Sequence, residues 1–303
     1  MTAYSSYLDD FINATFAAGI PLNERPIADG KFHRYPEPHD KSGRKSAYYA
    51  LHFGRYPFGI FGSFKGIGQK HLWRPFSVHS LSDEERLELA IAAKHLRESI
   101  RRETARVNDE TAKVCQDIWR SAREVSSHPY LDLKAVPSYG LKVIGQSLLI
   151  PVCNVQGELR SIQFICPDNE NGGFQKRFKK GGQIQGCGFR IGNFSPTGTN
   201  AIAEGYATAA SVYVDKNVAS VFAAFHCGNL LHAGLALRDA YQQSDILFAA
   251  DNDRYTPGNP GILKALQAAE RVNGRVTYPQ FPAGCSGTDF NDYANLSKGV
   301  DRG

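Results

Sequence analysis

Apolar residues follow three different textures along this chain. From residue 200 onward, short apolar runs alternate with stretches whose apolar positions recur every three or four residues. "AIAEG", "ASVFAAF", "DILFAA" and "RVTYP" read as strands, and "YATAASVYVDK", "LLHAGLALRDAY" and "GILKALQAAERV" as helices. Short apolar strands joined by helices of this length imply βαβ units and a parallel sheet.

Upstream the pattern changes twice. Between 128 and 199, "SLLIPVCN", "ELRSIQFIC" and "CGFRIGN" alternate like antiparallel strands, with "VQGE" as a hairpin turn. A polar, glycine-rich, basic loop, "PDNENGGFQKRFKKGGQIQG", separates the last two. Residues 81–127 contain no Gly or Pro, and Ser82 with Glu85 forms a capping-box signature. Leu87, Ala90, Ile91, Ala93, Leu96 and Ile100 keep helical spacing, and the length of the stretch predicts a break near Val107-Asn108. Residues 1–80 are rich in Gly, Pro and aromatics, with "AYYALHF", "FGIFGSF" and "HLWRPF" as short strands. The expected order is therefore a small β-rich module (1–80), a helical linker (81–127), a β-rich basic subdomain (128–199) and an α/β domain (200–303).

Composition narrows the class. The chain has 303 residues, 42% hydrophobic and 21% charged, with a formal net charge of +5. This fits a globular protein and permits a polyanionic partner. Six scattered cysteines form no CxxC, so neither a zinc ribbon nor a redox dithiol is indicated. No signal peptide and no apolar run of membrane-spanning length is evident, and a cytoplasmic protein is expected.

The acidic residues carry the chemistry. In open α/β sheets, sites form beyond the carboxyl ends of the strands. Glu204 ends the first strand of the last domain, Asp251 and Asp253 end the third, and Asp289 and Asp292 follow the fourth. Residues i and i+2 of extended chain point to one side, so Asp251 and Asp253 can present both carboxylates to one point. Paired carboxylates repel, and a divalent cation such as Mg²⁺ removes the penalty. Asp-Asn-Asp could equally be a simple turn, and Asp289 or Asp292 a helix cap.

"IAEGYATA" with "FAADND" resembles a Toprim domain, whose pattern is a Glu-Gly after the first strand and a DxD after the third. "LLIPVCNVQGELRSIQFI", "KRFKKGGQIQGCGFRIG" and "GTDFNDY" are similar to the catalytic core of DnaG-type primases, and "GKFHRYP…FGIFGSFKG…HLWRP" to a module preceding it in primases of plasmids and prophages. Thr208 stands where the family often has another acid, and the family's N-terminal zinc-ribbon cysteines are missing. His33, His39, His52, His71 and His79 are irregularly spaced, and no zinc is expected.

The resemblance implies a fold class, α/β with a Toprim-like parallel sheet flanked by helices, preceded by a β-rich basic subdomain and a small N-terminal α+β module. It implies a DNA primase that joins ribonucleotides on a single-stranded DNA template with Mg²⁺ or Mn²⁺. Glu204, Asp251 and Asp253 would be catalytic and bind metal, with Asp289 and Asp292 as further ligands. Lys176, Arg177, Lys179, Lys180 and Arg190 would hold nucleoside triphosphates or template, Lys180 matching the lysine of the family's Phe-x-Lys-Gly. Taken alone, that cluster is an ordinary solvated charge run. Phe53, Tyr56, Phe58, Phe61, Phe64 and Trp73 are candidates for base stacking, most of them more readily core. With no G-x-x-x-x-G-K-[ST], a helicase would act as a separate partner or a further segment. The rivals are a Toprim-type nuclease and a non-catalytic nucleic-acid-binding module.

Overall fold

The computed structural model describes residues 3–297 except 39, 41, 42, 44, 64–69, 77–80, 169, 171 and 216. His39, Lys41, Arg44, Phe64, Lys65 and His79 therefore lie outside the described residues. The chain forms two compact units, Met1–Arg106 and Val107–Gly303.

The first unit begins with a helix the sequence pattern did not reveal, α1 (Ala3–Ala17). Leu8, Phe11 and Thr15 supply its buried stripe at the i, i+3, i+7 spacing of one helical face. The helix covers an antiparallel sheet of β1 (His33–Tyr35), β2 (Ala47–His52), β3 (Phe58–Ser63) and β4 (Lys70–Trp73). Phe11 meets Tyr49, Phe61 and Trp73 edge-on at 5.8, 5.6 and 5.3 Å. Phe58, Phe61 and Trp73 are thus core, and Phe53 and Tyr56 are half-buried.

Helix α2 (Asp83–Ser121) runs unbroken for 39 residues, so the break expected near Val107-Asn108 does not occur. Nothing in the stretch removes a backbone donor, and Arg106 bridges back to Glu103 at 2.7 Å. Its start is the capping box read from sequence: Ser82 N–H donates to Glu85 Oε2 at 2.9 Å, and Glu85 N–H to Ser82 Oγ at 3.2 Å. Too many charges line this helix for a bilayer, and no helix among the described residues is long and apolar enough to cross a membrane.

The second unit holds two five-stranded sheets. One is antiparallel, in the order β5 (Arg123–Glu124), β6 (Lys142–Ile144), β7 (Ser147–Cys153), β8 (Leu159–Pro167) and β9 (Phe174–Phe178). Cys115, Ile118 and Trp119 of α2 pack with Leu149 and Ile162 on it. Strand β9 falls inside the expected basic loop: Phe178, Arg177 and Lys176 pair with Gln163, Phe164 and Ile165, extending the β7–β8 hairpin by a third strand. The other sheet has the order β10-β12-β11-β13-β14. Strands β11 (Thr199–Ala203), β12 (Ser220–Ala223), β13 (Asp245–Ala249) and β14 (Arg275–Thr277) are parallel, and β10 (Phe189–Gly192) is an antiparallel edge.

Alternate residues of these strands serve opposite faces. Ala201, Val221, Leu247 and Ala249 pack with α4 (Tyr206–Asp215) and Phe290 of α7 (Phe290–Ser297). Ile202, Phe222, Ile246 and Phe248 pack with α5 (Leu230–Ala240) and α6 (Pro260–Val272). The neighbouring strands β11 and β13 therefore send their following helices, α4 and α6, to opposite faces. The region between their carboxyl ends is the switch point of this sheet, where open α/β sheets form their binding crevice.

Asn229 locks the loop beyond β12. Its Nδ2 donates to the carbonyls of Ile184, Cys187 and Ala224, and its Oδ1 accepts from Gly186 N–H at 2.8 Å. Asn229→Ala should strand several buried polar groups and cost about 3 kcal/mol in urea unfolding. A change below about 0.5 kcal/mol, the range of ordinary surface substitutions, would contradict that role.

Candidate functional site

Three backbone segments bring the predicted acids to the crevice. Glu204 follows the last residue of β11, and Asp251 stands two residues past the end of β13. Asp253 bends towards α6, where its Oδ2 accepts from Gly261 N–H at 2.9 Å. A β-carbon placed on Gly261 would stand 3.0 Å from both Asp253 Oδ2 and Glu204 Oε1. Those two oxygens therefore lie within twice that distance of one another. The same β-carbon would stand 2.3 Å from the backbone oxygen of Asp251, so only glycine fits between the strand end and the helix start.

The residue between the two aspartates has a separate task. Asn252 has its side chain held from both sides, its Oδ1 accepting from Asn259 Nδ2 at 2.8 Å. Its N–H donates to Thr288 O at 2.7 Å, and its Nδ2 to Pro279 O at 3.1 Å. It thereby stitches the loop after β14 to the DxD segment and brings Asp289 alongside. Arg254 secures the same loop through Cys285 O and lies 4.9 Å over the ring of Phe281. Neither role is announced by the motif itself, because both depend on loops distant in sequence.

Asp289 and Asp292 both cap α7. Asp292 N–H donates to Asp289 Oδ1 at 2.8 Å, and Thr288 N–H donates to Asp292 Oδ2 at 3.0 Å. Asp289 still acts on the crevice, since its charge raises the pKa of both Glu204 and Asp251. Asn291 anchors α7 by donating to Lys134 O at 2.7 Å, at the end of α3 (Pro129–Lys134).

The electrostatics are those of a crowded acid cluster. Burial first, then the Asp253 charge, push Glu204 up to about 7, against a stabilising hydrogen bond from Cys227 N–H. Burial first, then Glu204, Asp289, Asp253 and Asp292, push Asp251 up to about 9. Asp289 is also raised, by burial and then Asp292, with Lys134 pulling the other way. Glu204 Oε1 and Asp251 Oδ1 are buried with no hydrogen-bond partner among the described residues. Buried acceptors left unmatched leave room for a water or a cation as partner.

Among the described residues no three His, Cys, Asp or Glu side chains stand together as a ready-made cage. The donors present are all hard oxygens, which suits Mg²⁺, because that ion keeps several waters and uses one or two carboxylates. Thr208, where a further acid was absent from the motif, is buried in α4.

The basic residues divide. Lys176 belongs to the acid cluster: crowding lowers its pKa, and Asp289 and Asp251 pull it upward. Its ammonium lies 5.6 Å over the ring of Tyr130, although the residue as a whole remains solvent-exposed. Arg177 is exposed and bonded to Gln175. Lys179 is half-buried, with its N–H donating to Ile162 O at 2.9 Å. Lys180 is exposed and makes no hydrogen bond or ion pair among the described residues. Arg190 is exposed on β10, 5.2 Å over the ring of Phe194.

The loop after β12 was missed by sequence reasoning. Cys227 N–H reaches Glu204, and Phe225, held at φ 72°, packs edge-on against Phe178 of β9 at 5.4 Å. A bulky residue in the left-handed region is strained, and strain of this kind gathers at functional loops.

No protein-family model matches the chain. Two curated relatives, both DNA primase TraC from Escherichia coli, are 32% and 30% identical over 91% and 90% of this chain. The chain spans only 27% and 19% of their lengths. Among solved structures, the DnaG primase catalytic domain bound to ssDNA is 12% identical with a TM-score of 0.42, over 65% of this chain and 77% of that one. The zinc-binding and RNA polymerase domains of the Aquifex aeolicus primase are 13% identical with a TM-score of 0.37, over 99% and 83%. Both scores are too low to establish a common overall fold.

The raised acids make stability depend on pH. Unfolded, Asp251 and Glu204 titrate near 3.8 and 4.5; folded and without metal, near 9 and 7. Between those limits the native state binds more protons than the unfolded chain, so stability falls as pH rises. In EDTA the melting temperature should drop from pH 5 to about pH 9, and Asp251→Asn should flatten the alkaline part. Mg²⁺ should restore stability most at the alkaline end. A flat profile with and without Mg²⁺ would contradict the clustering.

Proposed function

We propose that this chain, homologous to DNA primases named TraC over about nine-tenths of its length, carries a primase active site that makes short RNA primers on single-stranded DNA with Mg²⁺. The parallel sheet with Glu204 and the DxD pair at its switch point is read as a Toprim domain. The observation that carries the reading is the approach of Glu204 Oε1 and Asp253 Oδ2 across Gly261, beside buried oxygens of Glu204 and Asp251 left without a hydrogen-bond partner.

In this reading Asp251 and Asp253 are the principal metal ligands, and Glu204 is a further ligand or draws the proton from the attacking 3′-hydroxyl. Asp289 adds negative charge on the far side, balanced by Lys134 and Lys176. Magnesium, when bound, would neutralise the phosphates and align the attacking and leaving oxygens of the displacement. Glu204 sits where its raised pKa suits a proton carrier near neutrality. Lys176, whose charge interacts with Asp289 and Asp251 from the neighbouring sheet, would meet the triphosphate. Arg177, Lys179 and Lys180, on β9 and the turn after it, would follow the template backbone. The chain's own contribution is mainly positioning and charge compensation.

The test is a synthesis assay with Mg²⁺, a panel of single-stranded oligonucleotides and labelled ribonucleotides. Short template-dependent RNA is expected. Asp251→Asn should lower it by at least about a hundredfold, the upper range for losing a mere supporting residue of a metal site. Shortened DNA in place of new RNA would replace the primase reading with a nuclease, and absence of product on every template would end it.

A further inference from the structure

Metal binding by the acids gives no reason for the shape of the loop after β12. Among the described residues, six residues other than glycine adopt a positive φ, and three of them are asparagines, which tolerate it. Phe225 has the largest value of the six, 72°, a conformation in which glycine is the default residue. Its neighbours fix it there. Before it, Ala224 N–H donates to Ala203 O at 2.8 Å, and Ala224 O accepts from Asn229 Nδ2 at 3.0 Å. After it, Cys227 N–H donates to Glu204. Glycine at this position would remove the strain, and what it would lose is the ring.

That ring reaches β9. It meets Phe178 edge-on, at 5.4 Å and 84°, and both rings are half-buried. Phe178 and Lys176 are two apart on β9 and pair with Gln163 and Ile165 of β8, so their side chains leave the same face of the strand. Lys176 is the cation whose charge interacts with Asp289 and Asp251. At its other end, the contact stands on the loop whose Cys227 N–H holds Glu204. Strand β9 and the loop after β12 belong to different sheets. No ladder of backbone hydrogen bonds therefore sets the distance between them, and side-chain contact has to.

We infer that the Phe225–Phe178 contact is a strut that spaces Lys176 from the acid cluster, which makes Phe225 a positioning residue for the triphosphate of an incoming nucleotide. The inference rests on the primase reading of this site. A triphosphate has to satisfy the cation held by the acids and the Lys176 ammonium together, and misplacement by about 1 Å weakens such a pairing. Phe225 acts through Lys176 and Glu204. The acids keep their own supports without it, because Asn229 ties the loop through the carbonyls of Ile184, Cys187 and Ala224.

The test measures binding on the full chain, so that no synthesis is required. Mn²⁺ affinity is read by electron paramagnetic resonance, and affinity for a fluorescent ribonucleoside triphosphate in Mn²⁺ by anisotropy. Phe225→Gly suits the left-handed backbone and removes the ring, and its melting temperature should stay at or above that of wild type. Its Mn²⁺ affinity should remain within about twofold of wild type. Its triphosphate affinity should fall about tenfold, the upper range for one aromatic pair. Phe178→Leu should weaken the triphosphate similarly, and the double variant should be no worse than either single one. On a Lys176→Ala background, Phe225→Gly should add little further loss. Unchanged triphosphate affinity in Phe225→Gly, additive losses in the double variant, or an equal loss of Mn²⁺ affinity would overturn the strut. So would a full tenfold loss on the Lys176→Ala background. Wild type that binds the triphosphate but makes no RNA would end the primase reading and leave the strut standing, whereas wild type that binds no triphosphate would end both.

Discussion

Mutual repulsion among carboxylates at one switch point is the constraint on which the second unit is organised. Glu204 and Asp251 arrive on neighbouring parallel strands whose helices leave towards opposite faces, and Asp289 arrives on a loop stitched in place by Asn252. Left alone, such an arrangement is unfavourable, and the raised pKa values of Glu204, Asp251 and Asp289, due first to burial and then to the neighbouring acids, express that cost. A fold that preserves it spends stability to keep anionic oxygens available to a cation. The close fit of Gly261, the caps at α6 and α7 and the Asn291 anchor all resist relaxation of that strain.

Much of this unit could be read from its pattern. Short apolar runs and helical spacing located β11 to β14 and α4 to α6, because buried parallel strands are nearly all apolar and stand out between amphipathic helices. The strand ends then placed Glu204 and Asp251 without further help. What stayed hidden depends on tertiary pairing. Lys176 reads as part of a polar loop, since β9 is an edge strand whose side chains are mostly wet, yet pairing with β8 carries it to the acids. Lys180, favoured by motif position, shows no such tie. The contribution of Cys227 comes from a backbone N–H, which no side-chain motif can signal.

The first unit was harder for a different reason. Its aromatics were visible, but which of them are buried is decided by α1, a helix with one short buried stripe and no charge pattern to mark it. Once α1 takes one face of the sheet, Phe61 and Trp73 become core. In α2, the expected break failed because nothing in 39 residues supplies one: no Pro, no Gly, and a capping box at the start.

The central claim is that Glu204, Asp251 and Asp253 share one divalent cation. Anomalous diffraction from crystals grown with Mn²⁺ in place of Mg²⁺ tests it most directly. The account requires a manganese peak in the crevice between the ends of β11 and β13, within coordinating reach of these carboxylates and lost in Asp251→Asn. An empty crevice at saturating Mn²⁺, or a peak held only by residues elsewhere in the chain, would contradict it.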